Sequence, residues 1–381
     1  MIVDDLLWTP GGGWRKPCGS ATAGLVLYFG ARAAIEDGRR FAELRDLHPG
    51  ARLLGCSTGG QIRAGDVEDH CVTGVAVTLE RSNARFHSTT IESAADSRRC
   101  GQDIGRALAG EGLRGVFLLS DGLAVNGSEL VAGLADAVGL DVPITGGLAG
   151  DGARFISTLV GADAAPRSHA IAAIGFYGAA IRMGHGSAGG WSVFGPRRTM
   201  TRSHDNVLYE LSDKKALDLY ELYLGPEDAK ELPGSALLYP LLISDPENPQ
   251  QQVVRTVLGV DRLQRSMTFA GSMPQGWSAQ LMRGSFDRLI AGASAAAEQA
   301  RLPDDAGEPD LAIMISCIGR RLLMGQSVVG EVEAAAAALG SNCHKLGFYS
   351  YGEISPHHVT GRSILHNQTM TVMTLSEARG P

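Results

Sequence analysis

Short apolar runs bounded by glycine recur along the chain. Residues 24 to 30, GLVLYFG, show no polar alternation, which predicts a strand buried on both faces. A helical segment follows at about 32 to 47, where Ala33, Ala34, Phe41, Leu44 and Leu47 stand among charges. RLLGCSTGGQI and a second strand, CVTGVAVTL (71–79), complete the pass. The same order returns at GVFLLSDG (115–122), a helix near 127–139, ITGGLAGDG (144–152) and AIAAIGFYG (170–178). It returns again at LAIMISCIG (311–319), a helix near 328–339, KLGFYSYGEI (345–354) and HNQTMTVMTL (366–375).

Each pass reads strand, helix, glycine turn, strand. Within the turn two glycines stand five apart: Gly55 and Gly60, Gly147 and Gly152, Gly347 and Gly352, with a fourth case at Gly271 and Gly276. Matching positions point to internal duplication. The expectation is an α/β (or α+β) fold of mixed β-sheets flanked by helices, built from duplicated units. NVLYELSDKKALDLYELYLG, which opens a new unit, suggests two domains, 20–205 and 206–378.

A chain of 381 residues exceeds what one core usually organises, in keeping with two domains. The net charge of -7 argues against a nucleic-acid partner and gives no general attraction to anionic membranes. The first residues, Met1-Ile2-Val3-Asp4-Asp5, are acidic where a signal peptide would be basic. No apolar run approaches the ~18 residues of a spanning helix. Cysteines 18, 56, 71, 100, 317 and 343 are scattered, unlike a disulfide framework or zinc site. A cytoplasmic location is expected.

Several candidate sites compete. Gly55-Cys56-Ser57-Thr58-Gly59 spells the nucleophile elbow of a serine hydrolase, but Gln61-Ile62-Arg63 follows as a hairpin arm and not a helix start. Gly184, Gly186 and Gly189 satisfy a dinucleotide fingerprint, yet Pro196 and further glycines make the required helix implausible. RMGHGSAGGWSVFGPRRTMTRSHD combines His185 in a glycine-rich loop with Trp191, Arg182 and Arg197. Such residues could hold a flat anionic ligand by stacking and carboxylate pairing, or form a surface hairpin. If the glycine turns converge, Ser57, Gln61, Glu353, His366 and Asn367 could line a small polar pocket. Alternatively, Glu353 and Asn367 satisfy hairpin backbone groups.

LLGCSTGGQI, GGLAGDGARF, GWSVFGPRRTMTRS, NVLYELSDKKALDLYELYLG, KLGFYSYGEISP and LHNQTMTVMTL together resemble the paired N- and C-terminal FIST domains, in the expected order over roughly 20–375. FIST domains are regarded as intracellular sensory modules, proposed to bind small ligands such as amino acids. The chain further resembles the NosP subgroup, described as haem-binding nitric oxide sensors. That resemblance implies haem b as cofactor and nitric oxide as signal. It implies a histidine kinase or a diguanylate cyclase/phosphodiesterase as partner, with a homodimer as one assembly and no output domain in this chain. His185 is the axial-ligand candidate, with Arg182 and Arg197 for propionates; His344 and His366 are reserves, and Cys56 is a thiolate alternative. The other readings are a FIST sensor of a small polar metabolite without haem, and a hydrolase using Ser57.

Overall fold

The computed structural model describes residues 1–15, 23–303 and 307–378. Cys18, the start of the first expected domain at 20 and the middle of the loop at 302–310 lie outside the described residues. The chain folds as three related units. The first runs β1 (Ile2–Thr9), β2 (Leu25–Ala31), α1 (Arg39–Leu47), β3 (Arg52–Thr58), β4 (Gln61–Arg63) and β5 (Val72–Thr78). The second runs β6 (Asn83–Thr90), α2 (Ser97–Leu108), β7 (Leu113–Ser120), α3 (Gly127–Val138), β8 (Ile144–Leu148), β9 (Val160–Ala162) and β10 (Ala170–Tyr177). The third runs β11 (Ile181–Ala188), α4 (Phe286–Gln299), β12 (Leu311–Cys317), α5 (Val328–Ala338), β13 (His344–Ser350), β14 (Gly352–Pro356), β15 (Ser363–His366) and β16 (Met370–Glu377).

Within each unit the middle strand, β2, β7 or β12, pairs in parallel with the strand that follows its helix. On its other side it pairs antiparallel with β5, β10 or β16. The strand that leaves each glycine turn crosses into another sheet: β4 pairs with β13, β14 with β8, and β9 with β3. The three 6-stranded sheets therefore exchange strands in a closed cycle about a pseudo-threefold axis.

Backbone hydrogen bonds close the cycle at the axis. Gly59 N donates to Tyr349 O at 2.7 Å, Gly150 N to Ser57 O at 2.9 Å, and Tyr351 N to Leu148 O at 3.2 Å. This ring aligns Ser57 with Leu148 and Tyr349. The strand register agrees, since Cys56, Gly147 and Phe348 face Val160, Glu353 and Gln61. Glycine spacing thus locates the first and third turns, and is one residue out of step in the second. Gly271 and Gly276 belong to no such turn. They lie between Ser266–Phe269 and Ser278–Arg283 of a fourth, 9-stranded sheet.

That fourth sheet spans Ser192 to Arg283 and is inserted between β11 and α4, where the second unit has only residues 91–96. It carries its own core, with Met200, Tyr220, Ile243, Met267 and Phe269. The unbroken apolar runs are explained by burial on both faces. Phe29, Phe117, Ile315 and Phe348 meet in a central core shared by all three units. Alternate residues such as Leu118 and Met314 face the covering helices.

Residues 181–188, expected as part of a glycine-rich loop, form β11. Their glycines let α4 lie directly on the strand. A Cβ at Gly184 would stand 2.1 Å from Ala300 O, and one at Gly186 2.1 Å from Ala296 O. Gly184→Val should therefore destabilise the protein by about 1–3 kcal/mol through overpacking. Gly259→Ala, with nothing within 4 Å, should stay within about 0.5 kcal/mol. Urea unfolding of both variants checks the pair.

Candidate functional site

The glycine turns do converge, but their central backbone donors are occupied by one another. Ser57 is fully buried and its Oγ accepts from Leu159 N at 2.8 Å, with β4 and no helix following the turn. Gln61 and Glu353 occupy equivalent positions in different sheets. The Gln61 amide meets Thr58 Oγ1 at 2.6 Å. Glu353 accepts from Ser350 Oγ at 2.9 Å on one oxygen, and from Thr369 N at 3.1 Å and Thr369 Oγ1 at 2.9 Å on the other. Burial pushes its carboxyl up to about 8 against those hydrogen bonds.

His366 ends β15 directly opposite Glu353, and its Nε2 meets Ser355 O at 3.1 Å. Burial holds its imidazole down, at about 3. The turn residue Asn367 is 1% exposed, and neither its Oδ1 nor its Nδ2 has a partner among the described residues. These groups form a buried polar cluster in which Glu353 satisfies the backbone and side chain of the turn before β16.

The residues expected around haem do not converge. His185 lies on β11, half-buried and opposite Met373 of β16, and burial lowers its pKa. Trp191 donates its Nε1–H to Gln368 O at 2.8 Å, and its ring packs on Gly284. Arg182 donates to the carbonyls of Ala179 and Ile181, while Arg197 is exposed beyond the next short strand. His344 Nδ1 meets Asp5 Oδ1 at 3.1 Å, which raises its pKa, at the rim of a 660 Å³ cavity lined by Arg63, Asn342 and Lys345. Cys56 is fully buried in the central core, and burial raises its thiol well above the usual range. The residues proposed for haem therefore do not fit that group. Among the described residues, no cluster of three or more His, Cys, Asp or Glu could hold a metal ion. Nor is any helix among them long and apolar enough to cross a membrane.

A different place has the geometry of a ligand site. Beyond the carboxyl ends of β7 and β8 lies a crevice of 500 Å³. The start of α3 forms one side, through Asn126 and Gly127. Asn206, Phe269 and Gly271 of the inserted sheet form the other. Its floor includes Leu148 and Tyr351 from the axis. Phe155 stacks on Tyr351 with centroids 4.5 Å apart. The Asp151 carboxylate holds that loop by accepting from Phe155 N at 2.8 Å and from Ile156 N and Ser157 N at 3.1 Å. A smaller cavity of 170 Å³, lined by Arg255, Ser128 and Ser272, shares Glu129 and Leu365 with the crevice.

Two family models cover most of the chain: the FIST N domain matches residues 24–214 and the FIST C domain residues 216–356. The chain belongs to the FIST family. No curated protein is matched by it. The crevice draws on both FIST domains, with Asn126 and Phe155 from FIST N and Phe269, Gly271 and Tyr351 from FIST C. Strand exchange also crosses the FIST N–FIST C boundary, because β4 and β14 each pair with the other domain's strands.

Sequence reasoning missed the crevice of this FIST protein, although one signal was present. In QQVVRTVLG the hint is an arginine set in an apolar run; the structure buries Val253, Arg255, Thr256 and Val257 together. Asn126 likewise has the form of a helix cap, and its side chain accepts from Ser128 N and Glu129 N.

The Glu353 shift has a definite sign. Its folded-state pKa of about 8 exceeds the ordinary 4.5, so folding retains a proton that the unfolded chain has already lost. Stability from this group is complete below 4.5 and is lost as pH rises towards 8. The His366 shift acts in the opposite sense, reducing stability as pH falls below 6.5 towards 3. Glu353→Gln should therefore gain stability relative to wild type as pH rises from 5 to 8, by an amount on the order of a few kcal/mol. Denaturant unfolding of both proteins across that range measures it; parallel pH profiles would refute the shift.

Proposed function

We propose that this protein is a sensory module that binds a small metabolite in the crevice between its FIST N and FIST C domains and passes the occupied state to a separate signalling partner. FIST domains are sensory ligand-binding domains of signal transduction, and the crevice is one of the places where the two domains of this chain jointly enclose space. The observation that carries the reading is its position. Open α/β sheets bind ligands outside the carboxyl ends of their parallel strands, and this crevice lies beyond the parallel pair β7 and β8 with a helix start on its wall. Its volume of 500 Å³ falls within the ~300–1,000 Å³ typical of small-molecule sites.

Contacts to both sides would favour the arrangement that closes the crevice, so occupancy shifts a population and no chemical step is needed. The partner expected from the resemblance, a histidine kinase or a cyclic-di-GMP enzyme, would read that shift. Neither haem nor nitric oxide is supported by the placement of His185, Arg182 and Arg197.

Thermal-shift screening against amino acids, organic acids and nucleosides is expected to find compounds that raise Tm with concentration, a stabilisation of about 2.7 kcal/mol at 100 times Kd. Leu123 is 43% exposed at the mouth of the crevice, so Leu123→Trp should fill it at little cost to the free protein. That variant should lose the stabilisation. A hit unaffected by Leu123→Trp, or a His185-dependent saturable haem spectrum, would refute the crevice as the sensory site.

A further inference from the structure

We infer that the crevice takes an organic anion, with a carboxylate or phosphate head group held at Arg255 and an apolar body lying along the crevice wall. This rests on the crevice being the ligand site. Arg255 ends the strand Gln252–Arg255 and is 5% exposed, in line with the core residues Val253 and Val257. Its Nε donates to Ser272 O at 3.2 Å, and its Nη1 to Val254 O at 3.3 Å and Leu365 O at 3.1 Å. Among the described residues Nη2 has only a long contact, 3.5 Å, to Ser128 Oγ. Every one of these partners is uncharged.

A buried cation is ordinarily paired, because its desolvation is costly. The protein contains its own comparison. Arg320 is equally buried and meets Glu331 at 2.7 Å. Among the described residues no carboxylate lies within ion-pair distance of Arg255. Glu129 lines both cavities yet turns outward to Arg98, at 3.2 Å. The guanidinium thus lacks a counter-charge and faces a cavity with room for one.

The shape of the space narrows the ligand. The 170 Å³ beside Arg255 suits a head group by its chemistry, with the guanidinium and the Ser128 and Ser272 residues on its wall. The larger crevice, walled by Phe155, Tyr351, Phe269, Leu148 and Leu365, suits an apolar or aromatic body. Glu129 and Leu365 border both spaces, and Gly271 of the crevice packs against the guanidinium: a Cβ there would stand 2.9 Å from Arg255 Nε. The positive end of α3 adds a favourable field for the anion, although Asn126 already occupies two of its amides.

The test uses the full chain and three probes: phenylacetate, phenyl phosphate and neutral phenylacetamide, measured by calorimetry. At least one anion should bind roughly tenfold or more tighter than the amide. Comparing the two anions separates a carboxylate site from a phosphate site. Arg255→Met should abolish the preference. If that variant does not fold, Ser128→Asp carries the test, since it places a carboxylate beside the guanidinium. Ser128→Asp should raise the Tm of the free protein above that of Ser128→Asn and block the anions. Equal binding of amide and anions, or a Ser128→Asp variant that behaves as Ser128→Asn, would overturn the inference. Neutral ligands blocked by Leu123→Trp but indifferent to Arg255→Met would overturn the anion and leave the crevice standing. Anion binding lost in Arg255→Met but kept in Leu123→Trp would overturn the crevice reading itself.

Discussion

The ring of three backbone hydrogen bonds at the pseudo-threefold axis is the constraint on which the rest of the molecule depends. Each turn gives its N–H to the carbonyl of another unit, so no sheet can be completed without its neighbours. Two of the three donor positions, Gly59 and Gly150, leave no room for a side chain, while the third is Tyr351. A Cβ at Gly150 would stand 3.2 Å from Gly59 N, and one at Gly59 would stand 2.5 Å from the Ile318 side chain. The fourth sheet is hung on this frame by the links at 189–191 and 284–285.

Three equivalent positions beside the axis have diverged. Val160, Gln61 and Glu353 occupy the same place in the register, as an aliphatic, an amide and an acid. The third unit therefore carries an acid in its buried polar cluster where the first carries the Gln61 amide against Thr58 and Cys71. The crevice also arises from broken equivalence. The second unit has the long loop that presents Phe155, and the third has the inserted sheet that presents Phe269 and Gly271. A symmetric scaffold supplies rigidity, and the departures from symmetry supply the binding surface.

Much of the frame was legible in the sequence because burial on both faces leaves unbroken apolar runs between glycines. The three repeats and the helices α1, α3 and α5 follow from that pattern, whereas α2, α4 and the convergence of the turns do not. The exchange of strands does not, since β4 and β13 are joined by pairing and not by proximity in sequence. Gly147 misled the alignment by one residue because Gly146 and Gly147 are adjacent, and only the hydrogen bonds choose between them. His185 drew attention through its flanking glycines, whose purpose is the close seat of α4. Arg255 went unnoticed because an arginine flanked by polar loop residues reads as surface, and its burial depends on segments distant in sequence. Spacing records local geometry well, and charge compensation is a property of distant segments.

The cyclic hand-over of strands also governs how the chain comes to be folded. β3 waits for β9, β8 waits for β14, and β4 waits for β13, which lies nearly at the far end of the sequence. A growing chain emerging from a ribosome would hold the edges of β3, β8 and β4 unpaired in turn, until the last unit arrives. Long-range closure of this kind is slow, and open edges invite pairing with other chains. The same circuit that makes the finished molecule hard to open makes its unfinished form dependent on protection.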